Sequence, residues 1–253
     1  MDDISQIVVV DVDAELDALA QRYKRAGGGA VELLNLVGGH AEGLLDRLPT
    51  AAQSGLQEAT RRALEQAMKA AGSSRDFIPD QKRWVNTAVG TAMGAVGGAG
   101  GLPTALAELP VTTTLLLRLI QGVAVEHGFD PNAESVRFDC IEVFASAGPL
   151  AEDDGADLGF LSARVTLTGA ALQGLIARVA PRLATVLGQK LAAQTVPILG
   201  TVAGAAANYA YTNYYQEMAH VHFGLRKLAI DADVPIERLA SQLRVKMQGR
   251  PVS

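Results

Sequence analysis

Two long stretches of this chain carry no charged residue, and they constrain the fold more than any other feature. They run from Trp84 to Ala107 and from Leu191 to Gln216, and each is long enough to cross a lipid bilayer on length alone. Neither has the composition of a simple membrane span, because the first is rich in glycine and the second contains Gln, Thr and Asn side chains. The stretches are therefore predicted to be tightly packed core helices or segments that meet lipid.

The composition favours an all-α protein. Hydrophobic residues make up 49% of the 253 residues, but aromatic residues make up only 5%, and Ala and Leu, which are strong helix formers, supply much of the rest. The apolar spacing predicts a single multi-helix bundle of about eight to ten helices, with Gly-rich apolar helical hairpins at its centre. We expect a helical domain over residues 13–253, preceded by a tail or short strand over residues 1–12.

Charge and cysteine content exclude several classes of protein. The net charge of −5 provides no basic surface for nucleic acid, so no nucleic-acid partner is expected. A single cysteine, Cys140, rules out an intramolecular disulfide and a cysteine-based zinc cage. The first residues do not resemble a secretory signal. We expect a cytoplasmic protein that works in the cytosol or at the inner face of the cytoplasmic membrane.

Glycine and proline mark the predicted helix boundaries. Gly27 to Gly29 should break the first helix, and Pro110 should kink or end the helix that follows the first uncharged stretch. The other predicted features are a C-cap at Gly128, a helix opening at Asp130-Pro131, a helix over 196–230 and a last helix from Ile236 to Met247.

Two segments resemble the signatures of the EcsC protein family. Gly97 to Asp130 reads GGAGGLPTALAELPVTTTLLLRLIQGVAVEHGFD, and Val196 to Leu228 reads VPILGTVAGAAANYAYTNYYQEMAHVHFGLRKL. The resemblance covers about residues 30–230. It implies an all-helical bacterial protein tied to membrane or export processes, with a lipid or membrane surface, a membrane transporter or another protein as partner. It implies no established active site, so no catalytic residue is carried over.

Two charged residues in apolar surroundings are candidate ligand-binding residues. Glu108 and Arg118 are ten positions apart, or about 15 Å along a helix axis, so they should not pair with each other. An isolated buried charge is costly, and each therefore needs a partner. The candidates are Asp139 and Glu142 for Arg118, and Lys190 or Arg178 for Glu108. These residues form either structural ion pairs or a polar site for a ligand inside an apolar cavity.

A Glu-x-x-His unit suggests a metal site. Glu217 and His220 have the spacing found in helical di-iron carboxylate proteins, although a second such unit is missing. Asp139, Glu142 and Glu108 could supply further carboxylates. His222 points away from His220 on a helix, so those two cannot readily share a metal. A packed or surface histidine is the alternative, and no cofactor is expected.

Small and aromatic residues in the second uncharged stretch allow two interpretations. Gly200, Gly204 and Asn208 form a stripe that permits close helix approach, either in lipid or in a tightly packed soluble core. Asn208 would be a buried hydrogen-bonding residue and joins the candidate ligand-binding set. Tyrosines follow the stripe and mark a membrane boundary or ordinary packing. They are Tyr209, Tyr211, Tyr214 and Tyr215.

The leading hypothesis is a non-enzymatic, lipid-interacting or peripheral membrane-associated protein, accessory to membrane transport or export. The Gly-rich hairpins would open to expose an apolar groove, and Glu108 and Arg118 would orient a lipid head group. One alternative is a soluble module that binds a partner helix in that groove. The other is a metal-dependent enzyme that uses Glu217, His220 and the two carboxylates Asp139 and Glu142.

Overall fold

The computed structural model describes residues 10–38, 58, 60–66, 101–145, 174, 176–177, 179–181, 184 and 200–248. Every regular element within these ranges is an α-helix, which confirms the predicted fold class. The five helices with defined bounds are α1 (Val12–Gly38), α2 (Gly101–Glu126), α3 (Glu134–Ala145), α4 (Gly200–Asp231) and α5 (Ile236–Met247). Residues 1–9 of the predicted tail or strand lie outside the described residues, and the predicted domain bounds stay a prediction.

Helix α1 continues through Gly27 to Gly29, so the predicted break there is wrong. Each glycine costs about 1 kcal/mol relative to alanine in a helix interior. Long-range packing offsets this cost, because α1 lies along α4, the longest described helix, and makes its most extensive contact with it. Leu16 and Leu19 are among the α1 side chains buried in the core.

Helix α2 passes through Pro110 without ending there. A proline in a helix interior removes one backbone hydrogen bond and crowds the preceding turn, so it kinks a helix more often than it ends one. The helix begins at Gly101, two residues before Pro103. Proline is well tolerated in the first turn, where its missing N–H would have no partner within the helix.

The predicted C-cap at Gly128 is confirmed. Gly128 has a φ of 84°, in the left-handed region that favours glycine. Its N–H donates to the Val125 carbonyl at 2.9 Å, and the Phe129 N–H donates to the Ala124 carbonyl, also at 2.9 Å. These two bonds form a Schellman motif, which ends α2 and turns the chain toward α3.

The predicted helix opening at Asp130-Pro131 is wrong by a few residues, because α3 begins at Glu134. The Asp130 side chain accepts a hydrogen bond from the Asn132 N–H at 2.9 Å, and its carbonyl accepts one from the Ala133 N–H at 3.1 Å. Asp130 therefore forms the turn between the helices, a common role for aspartate.

The last two helices match their predictions closely. Helix α4 spans most of the predicted 196–230 segment, and α5 has the predicted bounds. Asp233 follows α4 with a φ of 53°. The N–H of Val234 donates to the Ala229 carbonyl at 3.1 Å, as in the motif at the end of α2. Asp233 thus takes the position usually held by glycine.

Helices α1 and α3 both run antiparallel to α4. From α1, Leu19 lies against Gly224 and Arg22 pairs with Glu217, so the numbering falls along α4 as it rises along α1. Helix α3 shows the same reversal, because its beginning faces Arg226 and its end, at Phe144, packs on Tyr215. The Phe144 and Tyr215 ring centroids are 5.0 Å apart.

Helix α2 runs in the same direction as α4. It is joined to α3 by a short turn and packs against it, which is the arrangement of an antiparallel helical hairpin. Its end lies beside α4, where His127 contacts His220 and Phe129 contacts Phe223. The beginnings of α2 and α4 and the end of α1 therefore lie toward the same end of the bundle.

No helix in the described parts of the chain combines the length and apolarity needed to cross a membrane. The uncharged stretches are only partly covered, since residues 84–100 and 191–199 lie outside those parts. Within the covered part, residues 101–107 open α2 and residues 200–216 form the first half of α4.

Replacing Gly27 with alanine should stabilise the protein. An added methyl group at Gly27 meets no atom within 4 Å, and the position is in a helix interior. The free energy of unfolding should rise by about 1 kcal/mol, measured by urea denaturation. Gly28→Ala should behave alike, since its surroundings are equally open. Unchanged or lowered stability in both variants would show that α1 is interrupted here.

Replacing Gly128 with alanine should have the opposite effect. Its positive φ strains any residue that has a Cβ atom, so unfolding should become easier by about 1 kcal/mol or more. Gly122→Ala is the matched control, because Gly122 lies inside α2 in open space and should gain stability. In urea denaturation, the free energy of unfolding should fall in Gly128→Ala and rise in Gly122→Ala. Equal changes in the two variants would contradict the assigned cap.

Candidate functional site

The charged half of α4 carries two polar clusters that face different helices. His220 faces the end of α2, and His222 faces α3. Both histidines are buried, with 7% and 3% of their surface exposed. They reach different neighbours because residues two apart on a helix point in nearly opposite directions. The two histidines therefore face different neighbours, in keeping with their predicted opposite directions on the helix.

His127 and His220 form the first cluster, which we call the histidine pair. His127 Nε2 lies 3.2 Å from His220 Nδ1, and the two rings meet edge to face with centroids 5.4 Å apart. Glu126 Oε2 lies 3.8 Å from His220 Nε2 on the other side of that ring. Two imidazoles in contact can hold a proton between them and exchange it with water through the half-buried His127.

Two cations act on the histidine pair. Burial lowers the pKa of His127 below its usual value, and the positive charges of Arg22 and Lys227 lower it further. Arg22 is held by an ion pair with Glu217, with Nη1 2.8 Å from Oε2. His127 is therefore kept neutral to a lower pH than an ordinary histidine.

Asp139 is the centre of the second cluster. Its carboxylate accepts a hydrogen bond from Arg226 and lies 3.5 Å from His222 Nε2. The Arg226 guanidinium also lies over the Phe129 ring, 4.7 Å from the centroid, and reaches Ser135 Oγ at 3.4 Å. Arginine suits this position, because its planar group can stack on a ring while it donates hydrogen bonds. The cluster fastens α3 and the turn before it to α4.

Of the predicted ligand-binding residues, the structure describes the ion pair of Asp139 and the burial of Arg118, Glu142 and Asn208. Asp139 forms an ion pair with Arg226. The sequence had suggested Asp139 as a partner for Arg118. Arg118 and Glu142 are half-buried, so neither is fully enclosed. Asn208 is buried, as predicted, and it has an interaction partner. The Glu108 side chain and the offered partners Lys190 and Arg178 lie outside the described residues.

The residues that the structure describes do not form the suggested metal site. No three His, Cys, Asp or Glu side chains among them are grouped so that they could hold a metal ion. Glu217 pairs with Arg22, and His220 contacts His127. The two side chains of the Glu-x-x-His unit thus make different contacts, Glu217 with a cation of α1 and His220 with an imidazole at the end of α2. They do so because α1 and α2 pack on this face of α4.

Three of the four tyrosines are core residues. Tyr211, Tyr214 and Tyr215 are buried, and only Tyr209 is exposed, at 46%. Burial raises the pKa of Tyr211 and Tyr215. The alternative of a tyrosine belt at a membrane boundary therefore fails for the three buried residues. The packing interpretation is correct for these three tyrosines, except that the Tyr215 hydroxyl is buried and does not reach water.

No pattern in the sequence indicated His127 or Arg22 as site residues. They are 93 and 195 positions from the α4 residues that they contact, and neither belongs to a local motif. Only their approach in the folded bundle brings them to α4.

The fold and the two clusters define an all-α protein with two polar clusters toward one end of its bundle. The model of the EcsC protein family matches residues 42–228, and the chain belongs to this family. "Uncharacterized protein YdbA" of Bacillus subtilis (strain 168) is 28% identical over 181 residues, or 70% of this chain. The match covers 66% of that relative, so the chain spans just under two thirds of its length. No solved structure matches this chain.

Replacing Arg226 with alanine should destabilise the protein by about 2 kcal/mol. The change removes a charge-assisted hydrogen bond and a ring contact, and the Asp139 side chain, only 14% exposed, loses this partner. Lys227→Ala is the neighbouring control. Its ion pair with Asp231 is exposed, so its loss should change stability by less than about 0.5 kcal/mol. Equal effects in urea denaturation would contradict the anchoring role of the Asp139 cluster.

Proposed function

We propose that this protein is a non-enzymatic, lipid-interacting protein that works at the membrane surface, on the cytoplasmic side, through one end of its bundle. The supporting observation is the distribution of charge along three packed helices. Toward one end lie residues 27–38 of α1, 101–117 of α2 and 200–216 of α4, and only Glu32 and Glu108 among them are charged. Toward the other end lie the two polar clusters. A bundle with this polarity can present an apolar end to lipid while its charged end stays in water.

Exposed apolar side chains support the same assignment. Val111 and Tyr209 are 52% and 46% exposed. Val111 belongs to the first half of α2, in which Glu108 is the one charged residue, and Tyr209 belongs to the uncharged first half of α4. Tyrosine suits an interface, since its ring is apolar and its hydroxyl is polar. Arg118 follows the uncharged half of α2, and we expect it to meet the phosphate of a lipid head group. A role accessory to transport or export would follow from work at that surface.

The proposal requires that binding depend on apolar contact more than on charge. The net charge is −5, so anionic lipid should not attract the protein. Vesicles of phosphatidylcholine should therefore bind it at least as well as vesicles that contain phosphatidylglycerol. Added salt should not release the protein, because salt screens only charge interactions.

The test is vesicle co-sedimentation of two matched double variants. Val111→Asp with Tyr209→Asp places charge at the uncharged end, and should weaken binding by about tenfold or more, since it removes two apolar contacts. Val125→Asp with Ile230→Asp changes exposed apolar residues at the charged end, and should leave binding intact. All four positions are exposed, so folding should tolerate the changes.

Three results would overturn the proposal. They are absence of wild-type binding to either vesicle, equal loss in both double variants, and release by salt. If the wild-type protein binds no vesicle, a groove for a partner helix becomes the better interpretation of the uncharged end.

A further inference from the structure

The histidine pair ties the end of α2 to α4 at a point where the chain turns. His127 directly follows the last residue of α2 and precedes Gly128, whose left-handed conformation reverses the chain. Its contact with His220 and the packing of Phe129 on Phe223, with centroids 5.7 Å apart, both lie at this turn. A change in charge on the histidine pair would therefore affect the interface between the end of α2 and α4.

The neighbouring carboxylate favours one arrangement of protons in the pair. Glu126 Oε2 lies 3.8 Å from His220 Nε2, beyond hydrogen-bonding distance, and its negative charge favours a proton on that nitrogen. With the proton there, His220 Nδ1 can accept a hydrogen bond from His127 Nε2–H. This hydrogen bond needs one donor and one acceptor. If both facing nitrogens carry a proton, neither can accept, and the hydrogen bond is lost.

Acid charges the pair before it breaks the bond. A first added proton makes one ring a cation within a setting that already contains two positive side chains. A second proton removes the acceptor. Because the two rings share one hydrogen bond, the doubly charged state is the one that cannot keep the contact.

Charged groups from three helices surround the pair. Arg22 of α1 and Lys227 of α4 oppose a positive charge on it, and Glu126 of α2 favours one. The Glu126 side chain is 56% exposed, so water screens its attraction. The remaining groups are Glu217, which is paired with Arg22, and on the α3 side Asp139, which is paired with Arg226.

We propose that the histidine pair is an acid-sensitive latch, which holds the end of α2 and the turn over residues 127–133 against α4 at neutral pH and releases them in mild acid. The latch lies at the charged end of the bundle and is measured on the protein alone. It does not depend on the proposed lipid binding.

The direction of the pH effect follows from linkage. The pKa of His127 is lower in the folded protein than the value of about 6.5 expected in the unfolded chain. The unfolded chain binds more protons between these two values, so stability is fully present above pH 6.5 and falls as the pH drops from 6.5 to the lowered pKa. Each unit of lowering corresponds to about a tenfold change in the equilibrium between latched and released forms.

Hydrogen exchange of the full-length protein at pH 7.5 and 5.5, corrected for the intrinsic pH dependence of exchange, tests the latch. In the wild-type protein, protection of the peptide over residues 119–133 should fall about tenfold or more at pH 5.5, while the middle of α4 keeps its protection. His127→Gln keeps a donor but cannot be charged, so its protection should change little between the two pH values. His222→Gln is the control histidine variant, and it should lose protection over 119–133 as the wild type does.

Two further measurements keep the test decisive if a variant does not fold. The ring protons of His127 in the wild-type protein should titrate below pH 6.5 in NMR spectra, and His220→Gln should remove the acid response as His127→Gln does. The latch is disproved if His127 titrates at or above pH 6.5. It is also disproved if acid lowers protection evenly over the protein, or if His127→Gln keeps the wild-type response.

Discussion

Helix α4 is the constraint on which the rest of the structure depends, because each of the other four bounded helices packs against it. The approach of α1 is especially close at Gly224. A methyl group there would lie 2.8 Å from Leu19 Cδ2, so the Leu19 side chain would have to shift, and it would be in ordinary contact with His127 Cε1 at 3.5 Å. Glycine at this point of α4 leaves room for the Leu19 side chain of α1.

Charge is distributed along this shared axis. The antiparallel α1 and the parallel α2 bring their uncharged halves to the beginning of α4 and their charged residues to its second half. Ion pairs and hydrogen bonds therefore fix the register of the bundle at one end, where Arg22 meets Glu217 and Arg226 meets Asp139. Few charged residues lie toward the other end of the described helices, which suits contact with lipid because few charges there would lose hydration.

Local patterns predicted part of this structure well. The C-cap at Gly128 and the bounds of α5 follow from signals a few residues long, which act through nearest-neighbour backbone geometry. The prediction at Gly27 to Gly29 failed because a local cost in helix propensity was weaker than packing along the full length of α4. The candidate site was predicted in part, since Asp139, Glu217 and His220 were singled out, but their partners were not.

The sequence by itself determined the all-α fold class, the charge-free stretches and the membership of the EcsC protein family, because composition, spacing and signature residues are properties of the chain. Tertiary structure alone decided what the polar residues contact. His127 and His220 are 93 positions apart and come into contact only when α2 and α4 pack. Electrostatic and hydrogen-bond energies depend on distance in space, and a spacing along the chain does not specify that distance across helices.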